Sequence, residues 1–476
     1  MGVVSSGAQR SGAAPEGRVT VSLAGGGRRG VLAFASMEAI KEHASAFDGL
    51  LREIRPLAEA FTRAGHRLYL VGGIVRDGLC GLERVDLDID LTTDALPDEV
   101  EAIMRSQRPS ALWLQGKRFG TIGARFPGPD GKDRAYEVTT HRSEAYEQGS
   151  RKPEVEYSSD IVADLSRRDF TVNAMAVDAM SPPGAAVLVD PFSGLADLRA
   201  GRLRTPLDPD VSFTDDPLRM LRAARFVSGH GLVADPPVLE AIRRLRDRLG
   251  IVSAERIRDE FSKLMLSERP IAGLVLLSDT SLLQVFASPL AGLMTDAVLL
   301  QRVGVVLERC PVELGVRLAA LFALALGDDT RADEITHAWA LELRYPVDEC
   351  ARVRSLLRLR AEFPSDDEPR AVRGFVRNAG HLLAAAQVLV SLTDDGDGRS
   401  LAVRDAINRL EKTEGLDMTP SLDGAAVMEH LGVGPGRDIG DALKMLAEVR
   451  LVAGPVGPDE ERRRLDGWWA ERQLRT

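Results

Sequence analysis

The chain has 476 residues, 44% hydrophobic, with a formal net charge of −10. That length suggests about three domains, and the scattered Cys80, Cys310 and Cys350, with no CxxC spacing, argue against a disulfide scaffold or zinc module and fit a reducing, cytoplasmic compartment. No apolar run approaches a membrane span, and the acidic balance does not announce a nucleic-acid binder, yet arginines crowd 199–225 and 243–248, and one basic face can hold a polyanion. Residues 1–36, rich in Gly, Ser and Ala, read as a disordered extension, with Met37 as an alternative true start of the protein. Residues 37–66 read as an amphipathic helix pair. A strand over 68–71, a Gly72-Gly73 turn, a helix over 73–80 and a strand over 86–92 follow. Next come a helix over 97–106 and a hairpin: Thr121–Phe126, a Pro/Gly-rich turn, then Ala135–Thr140. Residues 141–160 read as a mobile loop. From about 213 the pattern is almost purely helical, through 216–228, 237–248, 253–267, 270–285, 296–308, 313–326, 333–363, 369–392 and 400–413, with a boundary at the Asp/Gly-rich 394–398.

The densest chemistry lies in the mixed region. Asp88 and Asp90 are two apart in a run that alternates apolar and acidic residues. In a strand they point to one face, roughly 7 Å apart, and repel unless cations lie between them. Hard dications that accept oxygen ligands and bound phosphate are the natural occupants, as in metal-assisted nucleotidyl transfer. Gly72 and Gly73 leave backbone without side chains where a phosphate would approach. Arg76, near a helix N-terminus, suits a triphosphate, with a salt bridge to Asp77 as the structural alternative. Glu137 suits either a third carboxylate of the site or a partner for Arg142. Around Arg168 and Asp169 the chain reads as extended or helical. Arg168 suits phosphate or base and Asp169 a ribose hydroxyl, or the two form a buried pair. Asp216, Arg219, Arg222 and Arg225 recur every three residues on a helix that Pro217 suits at its first turn. An Asp and an Arg one turn apart offer acceptors and donors to a base edge; the alternative is a solvated charged face.

Taken together, these motifs resemble the class II tRNA nucleotidyltransferases, the bacterial CCA-adding enzymes and their poly(A) polymerase relatives. The resemblance runs through Gly72-Gly73-Ile74-Val75-Arg76-Asp77, Asp88-Ile89-Asp90, Phe119-Gly120-Thr121, Glu137-Val138-Thr139-Thr140, Arg167 through Ala174, Asp190-Pro191, and Asp216 through Arg225. It continues through Ser253 to Ile257 and near Gly432 to Gly436. It implies an α+β nucleotidyltransferase head with a mixed sheet (37–180), then an all-helical neck (181–268), body (269–398) and tail (399–476). It implies template-independent CCA addition to tRNA from CTP and ATP, with Mg2+ held by Asp88 and Asp90 and Glu137 beside them. Gly72, Gly73, Arg76, Arg168 and Asp169 would bind nucleotide; Asp216 and Arg219 would read the base, supported by Arg222 and Arg225. No membrane and no stable protein partner is implied. A poly(A) polymerase or A-only adding enzyme shares the head motifs, and a non-catalytic RNA-binding relative is a further alternative. Two departures stand out. Asp215-Asp216 replaces the usual Glu-Asp, and Ala323-Leu324 stand where many relatives carry the His-Asp of a metal-dependent hydrolase, implying a structural helix there.

Overall fold

The computed structural model describes residues 45–82, 88–128, 130–145, 154–294, 296–327, 329–394 and 399–474. The expectations for 1–36 and for Met37 lie outside the described residues. Of the expected helix pair at 37–66, the described part is a short 3-10 turn and one helix, Asp48–Arg63. Leu51, Ile54, Leu57, Ala58 and Phe61 recur at three- and four-residue spacing and are buried, so one apolar stripe fixes this helix to the sheet.

The sheet runs, edge to edge, through β3 (Ala111–Trp113), β4 (Thr121–Pro127), β5 (Asp133–Thr140), β2 (Asp88–Thr93), β1 (Leu68–Val71), β8 (Ala176–Asp178) and β9 (Leu188–Val189). β1 (Leu68–Val71) is buried along its whole length at the sheet's interior. It pairs antiparallel with β2 (Asp88–Thr93) on one side and β8 (Ala176–Asp178) on the other. β2 pairs parallel with β5 (Asp133–Thr140). β4 (Thr121–Pro127) forms the expected antiparallel hairpin with β5, β3 (Ala111–Trp113) lies outside it, and β9 (Leu188–Val189) closes the other edge. The pleat explains the acidic alternation of β2: Ile89 and Leu91 are 1% exposed, while Asp88 and Asp90 project from the opposite face.

The segment read as a mobile loop contains an antiparallel hairpin, β6 (Arg142–Ala145) with β7 (Glu154–Tyr157). Turn-rich composition hid two four-residue strands whose pairing is non-local. Residues 170–176 are neither fully extended nor helical: a 3-10 turn at Thr171–Asn173 leads into β8. Gly194 makes this turn possible, because a Cβ there would lie 2.1 Å from the Thr171 carbonyl oxygen. Asp190 holds the approach by accepting from the backbone N–H groups of Gly194 (2.6 Å) and Leu195 (3.0 Å).

Beyond the sheet the chain is helical. Asp215 ends a short helix, Pro209–Asp215, and Asp216 stands at the joint before the helix Leu218–His230, with its Oδ1 accepting from Leu218 N at 3.1 Å. That helix buries Leu218, Met220, Leu221, Ala223, Ala224 and Phe226. One continuous core runs from Phe47 through the sheet and the following helices to Met418, including Val403, Ile407 and Leu410 of the helix Arg399–Thr413. A second core begins at Leu422 and joins Val427, Ile439, Leu446 and Leu465. The helical stretch expected over 333–363 is filled by two helices, Asp329–Glu342 and Val347–Ala361, parted before Pro346. Ala323 and Leu324 are 2% and 8% exposed within the helix Leu314–Leu326.

By length and composition, the helical run Pro369–Thr393 is apolar enough to cross a membrane, against the expectation that no apolar run approaches a span. A 3-10 turn at Gly380–Leu382 breaks it, with Gly380 at φ +50°, and 44% of its apolar window is buried within the protein. All three cysteines are free; burial pushes the Cys80 and Cys310 thiols up to about 11, which leaves them poor nucleophiles.

Candidate active site

A cavity of about 400 Å³ opens between the exposed face of the sheet and the Leu218–His230 helix. Asp90 and Glu137 line one wall, and Arg168, Asp169, Asp216, Arg219 and Arg222 line the rest. Seven of the residues singled out in the sequence thus meet around one space, although up to 132 positions separate them. The register explains the acidic wall. Asp90 and Glu137 are direct partners on parallel strands, which places their backbones about 5 Å apart. Burial, then Asp90 and Asp88, push the Glu137 carboxyl above its ordinary range. Arg142, the alternative partner for Glu137, also lines the cavity and donates to Thr121 Oγ1 at 3.3 Å.

The glycine turn sits against the same wall. Gly72 has φ +77°, a left-handed backbone conformation that L residues rarely adopt and that glycine adopts freely. A Cβ there would lie 3.5 Å from Arg168 Nη1 and 3.8 Å from Asp90 Oδ2, so the bend brings bare backbone between a cation and a carboxylate.

Asp169 serves a structural pair, with Arg222 rather than Arg168 as its partner. Its Oδ2 accepts from Arg222 Nε (2.9 Å) and Nη2 (2.6 Å), and its Oδ1 from Phe170 N (2.8 Å) and Asn173 Nδ2 (3.0 Å). Burial would raise this carboxyl, but Arg222 and these hydrogen bonds hold it below the usual carboxylate range. Arg222 also faces Glu260 at 3.5 Å, so one guanidinium bridges the sheet module and the helix Ala254–Met265. Arg219, 9% exposed, donates to Ser212 Oγ at 2.9 Å and to the Arg167 carbonyl oxygen. Asp216 pairs with Arg256 at 2.9 Å, at the rim.

Not every expected site residue lines the cavity: Asp88, Gly72 and Gly73 flank the lining residues Asp90 and Val71 without lining it themselves, and Arg76 and Arg225 are engaged elsewhere. Arg76 is 7% exposed; it donates to Asn173 Oδ1 (2.7 Å) and Asp77 Oδ1 (2.8 Å), and its guanidinium lies 5.3 Å from the Phe226 ring centroid. The pairing with Asp77 weighed as the alternative is present, with the Arg76 end buried and the Asp77 end still partly exposed. Arg225 pairs with Glu260 at 2.6 Å and also covers Phe226. The three-residue repeat accounts for this: a stripe at that spacing winds around the helix, so its last member leaves the cavity face. His230, stacked near Phe226, is driven down to about 3 by burial and by Arg76 and Arg225, and is neutral.

Arg167 and Thr139 line the cavity and were not singled out, although both fall inside quoted motifs. Asp164 was missed entirely. Nothing local marks an acidic residue on a six-residue helix, and its role becomes visible only when its partners are placed.

Among the described residues, no three His, Cys, Asp or Glu side chains converge as a metal cage. A small dication needs less: one or two carboxylates, with water and substrate phosphates completing the shell. Asp88 and Asp90 supply that donor set, and the crowding felt by Glu137 is what a cation would relieve.

Comparison with known proteins agrees with this geometry. Residues 68–204 match the poly(A) polymerase head domain family, and 232–291 match the family described as the probable RNA and SrmB-binding site of polymerase A. The chain is 40% identical over 211 residues to the CCA-adding enzyme of Bacillus subtilis, covering 44% of this chain and 49% of that one; it thus spans about half the length of the Bacillus relatives it matches. It is 28% identical over 420 residues to the CCA-adding enzyme of Ligilactobacillus salivarius, covering 85% and 93% of the two chains. The structure resembles that of the Bacillus stearothermophilus CCA-adding enzyme in complex with CTP, with a TM-score of 0.68 and 25% identity over 90% of this chain and 99% of that one. The glycine bend, Asp90 with Glu137, and the neck helix thus gather around one cavity in a chain that matches the poly(A) polymerase head and RNA-binding families over 68–204 and 232–291 and is similar in sequence and fold to CCA-adding enzymes.

Proposed function

We propose that this protein adds CCA to the 3′ end of tRNA from CTP and ATP, without a nucleic-acid template, in the cytoplasm. The observation that carries the reading is the meeting of Asp90, Arg168, Asp216 and Arg219 around one cavity. The first two serve phosphate chemistry and the last two base choice. We take 37–180 as the catalytic head, 181–268 as the nucleotide-selecting neck, and 269–398 and 399–476 as the body and tail along which tRNA lies.

Asp88 and Asp90 would hold Mg2+, with Glu137 beside them; bound there, the ion supplies charge neutralisation and Lewis-acid polarisation at the triphosphate. The reaction is attack of the RNA 3′-hydroxyl on the α-phosphorus, with pyrophosphate leaving. It asks little covalent chemistry of the protein, so positioning and electrostatics dominate. Gly72 and Gly73 admit the phosphates to the backbone, and Arg168 meets their charge from the far side of the bend. Asp169 holds Arg222 toward the cavity and lies near where a ribose would sit. Asp216 and Arg219 offer acceptor and donors to the base edge. A mismatched base such as guanine would leave buried groups unpaired there, at about 1–3 kcal/mol per group.

The test is extension of three tRNAs lacking CCA, CA or only the final A, with CTP and ATP. The proposal expects all three to be completed and extension then to stop. Completion of only the tRNA lacking A would identify an A-adding enzyme, continued A addition a poly(A) polymerase, and no pyrophosphate release with any of them a non-catalytic relative.

A further inference from the structure

Asp164 is a buried acid that the proposed chemistry does not use. Its side chain is 0% exposed, on the helix Ile161–Ser166, which Asp160 caps by accepting from Val162 N at 2.9 Å. Asp164 Oδ2 accepts from Arg168 Nη2 at 3.0 Å and Thr92 Oγ1 at 3.5 Å. Its Oδ1 accepts from Arg167 Nε and Nη2, both at 3.3 Å. One carboxylate therefore grips two consecutive arginines that both line the cavity. The grip is directional. With Nη2 of Arg168 drawn to Asp164, the other terminal amine, Nη1, lies 3.5 Å from the Cβ position at the Gly72 bend, which Asp90 Oδ2 approaches to 3.8 Å.

The same stretch of backbone meets the base-reading helix, because the Arg167 carbonyl oxygen accepts from Arg219 Nη2. A shift in the Arg167-Arg168 peptide thus reaches both the phosphate side and the base side of the cavity. Burial alone would raise the Asp164 carboxyl, yet Arg168 and Arg167 hold it below the usual range, so it is ionised throughout the neutral region.

We propose that Asp164 is a positioning residue that aims Arg168 at the triphosphate and, through the Arg167 carbonyl, couples that grip to base selection by Arg219. The inference rests on the nucleotidyl-transfer reading above. Its test uses the full chain with ATP and Mg2+. Asp164→Glu keeps the charge and moves it by one methylene. We expect ATP binding, measured by calorimetry, to weaken about tenfold, which is ~1.4 kcal/mol. Discrimination in kcat/KM between CTP or ATP and GTP or UTP should fall several-fold, with the KM for tRNA and the circular dichroism spectrum unchanged. Arg168→Ala, at a side chain only partly buried, should reproduce the loss of ATP affinity and serves as the reading if Asp164→Glu fails to fold. A folded Asp164→Glu protein with wild-type ATP affinity and base choice overturns the positioning role, as does Arg168→Ala with wild-type ATP affinity. Wild-type protein that binds no ATP with Mg2+ refutes the underlying reading of the site instead.

Discussion

Replacing Glu137 by Gln should stabilise the metal-free protein while weakening its hold on Mg2+. Glu137 stands in register with Asp90 on the neighbouring strand, with Asp88 one pleat further along β2. At about 6 Å, two like charges repel by ~0.7 kcal/mol in a water-like dielectric and ~2.8 kcal/mol at an effective dielectric of 20. Glu137 lines the cavity wall, which partly desolvates its carboxyl, yet keeps much of its surface in water, so screening favours the lower end, and about 1 kcal/mol is the expected gain. The sign follows from the direction of its shift. A carboxyl raised above its ordinary value binds its proton more tightly in the folded state, so its contribution to stability is present at low pH and is lost as pH rises through the raised value. Wild type and Glu137→Gln should therefore unfold together in acid and diverge above the carboxylate range, with the variant more stable by about 2–4 °C, the shift expected for ~1 kcal/mol in a unit of this size. Added Mg2+ should close or reverse the gap, because only the wild type offers the third negative charge. Thermal melts across pH, with chelator and with Mg2+, measure this. A variant no more stable than wild type in chelator at pH 8, or a gap indifferent to Mg2+, would refute the idea of a crowded acidic wall awaiting a cation.

Other outcomes follow from the same geometry. Asp88→Asn or Asp90→Asn should abolish nucleotide incorporation while leaving the circular dichroism spectrum intact. Arg219→Ala should relax base choice, read by incorporation from each of four nucleoside triphosphates, more than it weakens tRNA binding; unchanged selectivity would reject the base-reading role. Arg76→Ala should lower the melting temperature, since losing charge-assisted bonds to Asn173 and Asp77 costs about 1.5–3 kcal/mol each, and should leave the KM for ATP nearly unchanged. Asp169→Asn should remove part of the acid sensitivity of the fold: a carboxyl held below its ordinary value stabilises above the unfolded pKa and loses that contribution as pH falls, so the variant's stability should vary less with pH in acid melts.

Much of the site was legible because its chemistry is local. Asp88-Ile89-Asp90 declares a strand with paired acids, and Gly72-Gly73 a bend, without reference to anything distant. What escaped depends on contacts between remote segments. Arg76 reads as a phosphate ligand because it follows the glycines, but Asn173 and Phe226, 97 and 150 positions away, enclose it. Asp164 is silent in sequence because its meaning lies in Arg167 and Arg168 turning back upon it. The hairpin β6–β7 was read as loop because two short strands among Gly, Lys and Pro give little alternation, and pairing rather than propensity makes them strands. The helical half was easier, since three- and four-residue periodicity needs no partner to be seen, although the periodicity alone did not locate the break before Pro346.

The most direct test is a crystal of the full chain soaked with Mn2+ and CTP and read by its anomalous signal. The account predicts a manganese peak within coordination distance of both Asp88 and Asp90 and of the triphosphate, with the cytosine edge against Asp216 and Arg219. Nucleotide bound with both aspartates turned away, or manganese seated elsewhere in the chain, would contradict it.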